Sequence, residues 1–86
     1  MRMWVKIFYK KVFEIREATA GTQKILPFVN LIDRIDNAME YAVKNNASSQ
    51  WVDMLRRAQQ ILKKATKYED RLPADNILCE LLNIIE

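Results

Sequence analysis

Turn-forming residues are scarce in this chain: one glycine and two prolines occur among 86 residues. A β-sheet of this length needs several tight turns, and glycine and proline are among the residues that most often make them. A few long helices need far fewer turns. The sequence therefore favours helices, and the length limits the chain to one domain because each domain needs its own core. We expect a single helical domain over residues 1–86.

The residue types limit which catalytic and metal-binding sites the chain can form. Histidine is absent, and Cys79 is the one cysteine. Zinc sites of the ordinary kind and histidine-activated nucleophiles are therefore excluded, and a lone cysteine without an internal disulfide fits a reducing compartment. No apolar run approaches the roughly 20 residues of a membrane-spanning helix. We expect a cytoplasmic protein that is not an enzyme, with no membrane span, cofactor, metal site or small-molecule substrate.

Apolar residues recur at three- and four-residue steps in four segments, which is the spacing of one helix face. Gly21 and Thr22 are expected to end the first helix and to cap the second. The first predicted helix runs from about Arg2 to Ala18, and the second starts near Lys24 to Pro27 and ends at Asn45. The third starts after a cap at Ser48 or Ser49 and follows an apolar stripe that reaches Tyr68. The fourth runs from about Ala74 to Ile85. Short polar links join them, so we expect an all-α bundle of about four helices with antiparallel neighbours.

The first segment has a second interpretation. It is rich in β-branched and aromatic residues, and apolar side chains also alternate in it as they do on a half-buried strand, at Met3, Val5, Ile7 and Tyr9. The helical spacing of Trp4, Phe8 and Val12 favours a helix, and the strand stays open as the alternative.

The fourth predicted helix is apolar around more than half of its circumference. One bundle seam buries less than this, so either the helix is central in the fold or another chain covers its outer side. The motif Leu78-Cys79-Glu80-Leu81-Leu82 also matches a groove-docking pattern, although ordinary core packing is the favoured explanation of its leucines. We predict an apolar partner-binding surface on the first and fourth helices, formed by Trp4, Phe8, Leu78, Leu81, Leu82 and Ile85.

Charge is unevenly distributed along the chain. Residues 48–68 carry five basic side chains against one acid, whereas residues 69–86 carry five acids against one base, within a total of +3. The spacing of the cations predicts a basic strip on the third helix, made of Arg56, Arg57, Lys63, Lys64 and Lys67. Such a strip can attract phosphates or an acidic protein, although an ordinary solvated helix face is the favoured interpretation.

The start of the chain interleaves aromatic and basic residues, namely Trp4, Phe8 and Tyr9 with Lys6, Lys10 and Lys11. Segments of this kind rest on membrane surfaces or stack on unpaired bases. Core aromatics flanked by solvated lysines explain the pattern as well.

Together these patterns predict a small protein-interaction module, such as an adaptor, inhibitor or regulator. It is expected to bind a protein partner, or to form a homo-oligomer, through the apolar faces of its helices. The alternative is a nucleic-acid-binding regulator that uses the basic strip of the third helix.

Overall fold

The computed structural model describes residues 2–20 and 28–85, and these residues form four α-helices. The helices are α1 (Met3–Ala20), α2 (Val29–Lys44), α3 (Ser49–Lys64) and α4 (Leu72–Ile85), with one 3₁₀ turn (Tyr68–Arg71) directly before α4. No β-strand occurs in these two ranges. The predicted all-α bundle of about four helices is confirmed, and the first segment is a helix, not a strand.

α1 places its buried side chains at steps of four, three and four, as a core-facing helix should. They are Phe8, Val12, Ile15 and Thr19. The helix continues to Ala20, two residues beyond the predicted end. The expected cap roles of Gly21 and Thr22, and the expected start of the second helix near Lys24 to Pro27, lie outside the described residues.

α2 begins at Val29, after the non-helical backbone of Phe28 (φ −83°, ψ 46°). It ends at Lys44, and Asn45 and Asn46 form the turn that follows, as predicted. Asn46 has φ 58°, a left-handed conformation that asparagine tolerates better than most residues. The Asn45 side chain donates a hydrogen bond to the carbonyl of Tyr41 over 2.9 Å, which closes the end of the helix.

α3 begins after Ser48, whose Oγ accepts a hydrogen bond from the N–H of Gln50 over 3.2 Å. Of the two candidate serines, Ser48 is therefore the N-cap. The helix ends at Lys64 because Ala65 is extended (φ −64°, ψ 130°). The predicted stripe runs past this end, since Tyr68 belongs to the 3₁₀ turn.

The connection between α3 and α4 is closed by one carboxylate. Asp70 Oδ2 accepts hydrogen bonds from the backbone N–H groups of Thr66 and Lys67, each over 3.0 Å, and from Thr66 Oγ1 over 3.2 Å. These N–H donors hold the pKa of Asp70 below its ordinary value. α4 then starts at Leu72, two residues before the predicted start, so Pro73 still lies in the first turn, where its missing N–H leaves no helical bond unmade.

The helices form a ring in which each packs against its neighbours in sequence and α1 packs against α4. Gln59, late in α3, contacts Ile32, early in α2, and Arg71, just before α4, contacts Thr19 near the end of α1. Contacts between opposite ends mean that these pairs run antiparallel. The structure thus has the up-and-down order that short links favour.

The core lies along the axis of this ring. Phe8 stacks on Trp51 with 5.4 Å between ring centroids, and Trp4 lies 6.0 Å from the same indole. This aromatic group joins the start of α1 to the start of α3. The other buried apolar residues are Val12, Ile15, Phe28, Ile35, Ala38, Ala42, Met54, Leu55, Ala58, Leu62, Ala74, Leu78, Leu81, Leu82 and Ile85.

The three- and four-residue spacing of apolar residues in α2 also predicts that Val43 faces the core, and this prediction is wrong. Val43 is 62% exposed, whereas Ile35, Ala38 and Ala42 are fully buried. The small alanines at 38 and 42 let the neighbouring helices approach α2 closely, so the core side of its last turns is centred on them and Val43 faces outward.

Two phenylalanines on α1 test which side of that helix faces the core. Phe8 is fully buried and Phe13 is 43% exposed. Phe8→Ala should lower the free energy of unfolding by about 3–5 kcal/mol, because it leaves a cavity beside Trp51. Phe13→Ala removes the same atoms from the surface and should cost less than about 1 kcal/mol. Urea unfolding followed by circular dichroism measures both; equal losses would contradict the described rotation of α1.

Candidate functional site

The structure places most of the predicted apolar partner-binding residues in the core. Phe8, Leu78 and Leu81 are fully buried, and Leu82 and Ile85 are 8% and 7% exposed. Trp4 is half-buried against Trp51. The prediction that these six residues form an exposed apolar surface is therefore wrong.

The physical reason lies in the position of α4. It packs against α3 on one side and against α1 on the other, so two seams cover its wide apolar face. Of the two explanations that the sequence allowed, packing within the bundle is the one that the structure shows for most of this face, while Leu72 and Ile84 stay exposed. The leucines of the docking-like motif are explained by the same packing.

The large apolar side chains that the fold leaves exposed are different ones. Among the described residues they are Met3, Ile7, Phe13, Val29, Val43, Leu72 and Ile84. Most of them lie outside the periodic stripes, which is why a search for core-facing spacing passes over them. A search for apolar residues on the polar side of each helix would have found Met3, Ile7 and Phe13.

Val43 lines a groove between α2 and α3. The apolar lining of this groove comes from Met39, Val43 and Val52, and the groove has a volume of 440 Å³. Two other clefts, one between α1 and α2 and one between α3 and α4, have mainly polar linings. The lining of the α2–α3 groove is therefore more apolar than that of either of these two clefts.

Charged side chains of both signs complete the lining of this groove. Asp36, Glu40 and Lys44 come from α2, and Arg56 comes from α3. Arg56 Nη1 also forms an ion pair with Asp53 over 2.8 Å, on the exposed side of α3. An occupant of the groove would thus meet an apolar lining with two carboxylates along its α2 side.

A buried amide holds the two walls together. Gln59 is 4% exposed, and its Nε2 donates hydrogen bonds to the carbonyl of Ile32 over 3.0 Å and to Asp36 Oδ1 over 2.6 Å. This fixes the distance between α2 and α3 and the position of one carboxylate in the groove. The sequence contains a signal for it, because Gln59 occupies a core-facing position between Ala58 and Leu62.

The predicted basic strip is solvent-exposed. Arg56, Arg57, Lys63 and Lys64 lie on one side of α3, and Lys67 lies beyond the end of the helix in the connection to α4. The predicted strip is therefore divided between a helix and a turn. Lys63 and Lys64 are in the last helical turn, where the helix dipole favours cations.

A polar cluster joins the end of α1 to the start of α4. Arg71 Nε donates a hydrogen bond to the carbonyl of Thr19 over 2.6 Å, its guanidinium lies 4.3 Å from the Tyr68 ring centroid, and Nε is 3.6 Å from Asp75 Oδ2. Beside it, Arg16 Nε donates to Cys79 Sγ over 3.1 Å, and this contact raises the pKa of Arg16 above its ordinary value. These contacts join α1 to α4, and none of these residues lines the three clefts described above.

Metal-binding groups, membrane-spanning helices and similarity to known proteins add no candidate site among the described residues. Within residues 2–20 and 28–85, no group of three or more cysteine, aspartate or glutamate side chains is placed to hold a metal ion. None of the helices described is both long enough and apolar enough to cross a bilayer. No protein-family model matches the sequence, and no curated protein or solved structure matches it either.

Two adjacent glutamines test the role of the buried amide. Gln59→Ala removes both hydrogen bonds to α2 and should lower the free energy of unfolding by about 1–3 kcal/mol. Gln60→Ala changes an exposed residue of the same helix and should stay within about 0.5 kcal/mol of the parent protein. Urea unfolding gives both values. An indistinguishable pair would show that Gln59 does not join the helices.

Proposed function

We propose that this chain is a small, non-catalytic interaction module whose α2–α3 groove binds an amphipathic helix of a partner protein. The observation that carries the proposal is the apolar lining by Met39, Val43 and Val52 in an otherwise polar surface region. Concave apolar sites of about 300–1,000 Å³ are the usual places where proteins bury a ligand, and this groove has a volume of 440 Å³.

The shape favours a helix as the occupant. Two packed helices form the walls, and a third helix can lie along the channel between them and insert side chains at i, i+3 or i+4, and i+7. Three residues supply the apolar lining, namely Met39, Val43 and Val52. This is enough for an anchored peptide segment and little for a stable homodimer, which buries about 800 Å² on each copy.

Charge indicates the chemistry of that helix. Asp36 and Glu40 are one helical turn apart on α2 and flank the apolar lining. A lysine or arginine of the partner helix would pair with these two carboxylates, and an acidic residue of the partner would pair with Lys44 in the same wall. This order of charges selects the direction of the helix in the groove.

The biological role that follows is that of an adaptor, inhibitor or regulator, since such a module acts by occupying a partner. A cytoplasmic location belongs to the same proposal, because a lone half-buried cysteine needs no oxidising compartment. The experiment below tests the groove itself.

Two exposed valines on α2 provide matched variants. Val43 is in the groove and is 62% exposed; Val29 is outside the groove and is 53% exposed. Amphipathic helical peptides selected from a displayed library against the protein should carry basic residues beside their apolar anchors. Val43→Gln should weaken their binding about tenfold, a loss of about 1.4 kcal/mol, whereas Val29→Gln should leave it unchanged in a fluorescence titration.

Light scattering after size-exclusion chromatography completes this test. A monomer is expected over the whole concentration range. A dimer that Val43→Gln dissociates would assign the groove to a second copy of the chain. Selected peptides that bind both valine variants equally would remove the groove from consideration.

We propose as the second candidate a nucleic-acid-binding regulator that uses the exposed basic side of α3. The observation in its favour is that Arg57, Lys63 and Lys64 are exposed on one helix side, where they can contact successive phosphates. Arg56 contributes less, because its guanidinium is paired with Asp53.

The double variant Lys63→Glu/Lys64→Glu tests this candidate. Binding of the parent protein to double-stranded DNA or to RNA should fall steeply with salt, and the double variant should abolish it. Lys6→Glu/Lys10→Glu makes the same change of charge on α1 and should have a much smaller effect. Fluorescence anisotropy at low salt gives the result; failure to retain either nucleic acid, or equal losses for both variants, would refute this use of α3.

A further inference from the structure

α1 has apolar side chains on two opposite sides. Phe8, Val12 and Ile15 face the core. On the outer side, Met3, Ile7 and Phe13 are 69%, 41% and 43% exposed. Packing of the described helices leaves these outer residues exposed, and apolar residues grouped on one exposed helix side are typical of surfaces that contact other molecules.

Cations lie between these outer apolar residues. Lys6 and Lys10 are exposed, and steps of three and four residues place them on the same side of the helix as Met3, Ile7 and Phe13. We refer to these five residues as the α1 outer patch. It occupies the first three turns of the helix.

The charge of this part of the chain has one sign. Residues 2–13 contain four basic residues and no acidic one. Lys11 lies over the ring of Tyr41, 5.3 Å from its centroid, and so belongs to the contact between α1 and α2. Arg2, Lys6 and Lys10 are exposed and remain beside the apolar residues of the patch.

We propose that the α1 outer patch docks on the surface of a lipid bilayer that contains anionic lipids. Met3, Ile7 and Phe13 enter the boundary between headgroups and acyl chains, and the lysines contact the anionic headgroups while their aliphatic stems cover apolar surface. The attachment is peripheral and reversible. It is independent of the groove between α2 and α3, which lies on other helices.

Lipid is a better fit than a nucleic acid for this patch. Unpaired bases bind by stacking on flat aromatic side chains, and two of the three exposed apolar residues, Met3 and Ile7, are aliphatic. Glu14 and Glu17 are exposed farther along the same side of α1 and repel an anionic surface. They limit the contact to the first three turns and tilt the bundle with the start of α1 toward the membrane.

Flotation with vesicles tests the proposal. The whole protein is mixed with phosphatidylcholine vesicles, with or without phosphatidylserine, and the bound fraction is measured at low and at physiological salt. Binding is expected only with phosphatidylserine and should decrease with salt. Lys6→Glu/Lys10→Glu should reduce the partition coefficient at least about tenfold.

Two further variants separate this docking from general attraction of a basic protein. Ile7→Gln/Phe13→Gln keeps the charge and should also reduce binding about tenfold. Lys63→Glu/Lys64→Glu makes the same charge change as the α1 lysine variant, but on α3, and should change binding less than about twofold. All substituted residues are exposed, and circular dichroism checks that each variant is folded.

Several results would overturn the proposal. They are no binding to phosphatidylserine vesicles, equal loss from the lysine variants of α1 and α3, and full binding by Ile7→Gln/Phe13→Gln. A single-stranded oligonucleotide that displaces the protein from vesicles, and that still binds Ile7→Gln/Phe13→Gln, would assign the patch to a nucleic acid instead.

Discussion

Burial of both flanks of α4 determines which surfaces the rest of the chain offers. Leu78 and Leu81 are fully buried among the packed side chains of α1, α3 and α4, so most of the apolar face of α4 is covered inside the bundle. Contact with other molecules must then come from apolar residues that the packing does not need. Several of these lie along the α2–α3 groove and on the outer side of α1, and each of these two sets is accompanied by charged residues.

The two surfaces differ because their supporting contacts differ. The groove depends on two helices at a fixed separation, which Gln59 maintains through its hydrogen bonds to Ile32 and Asp36. The α1 outer patch lies on one helix and needs only the rotation of α1, which the contacts of Phe8 and Trp4 with Trp51 fix from the inner side. Both surfaces can therefore be occupied at the same time without competing for residues.

The sequence predicted the helices well and the surfaces poorly, and the reason is physical. Periodicity within one segment identifies a core-facing stripe, as in α3, where Met54, Leu55 and Leu62 are all buried. It does not show how two helices are rotated relative to each other, and that rotation turned Val43 outward and brought it beside Val52. The assignment of Leu78 to a partner failed likewise, because the number of helices packed against α4 is a property of the whole bundle.

Arg71 has a consequence for how the ends of the helices behave. Its guanidinium contacts the carbonyl of Thr19 and the ring of Tyr68, and lies 3.6 Å from the carboxylate of Asp75. A planar cation can donate in its plane while its face covers an aromatic ring, and the compact ammonium of lysine cannot do both at once. The last turn of α1, the 3₁₀ turn and the first turn of α4 are thus joined through one side chain, and a lysine at this position would have to give up one of these contacts.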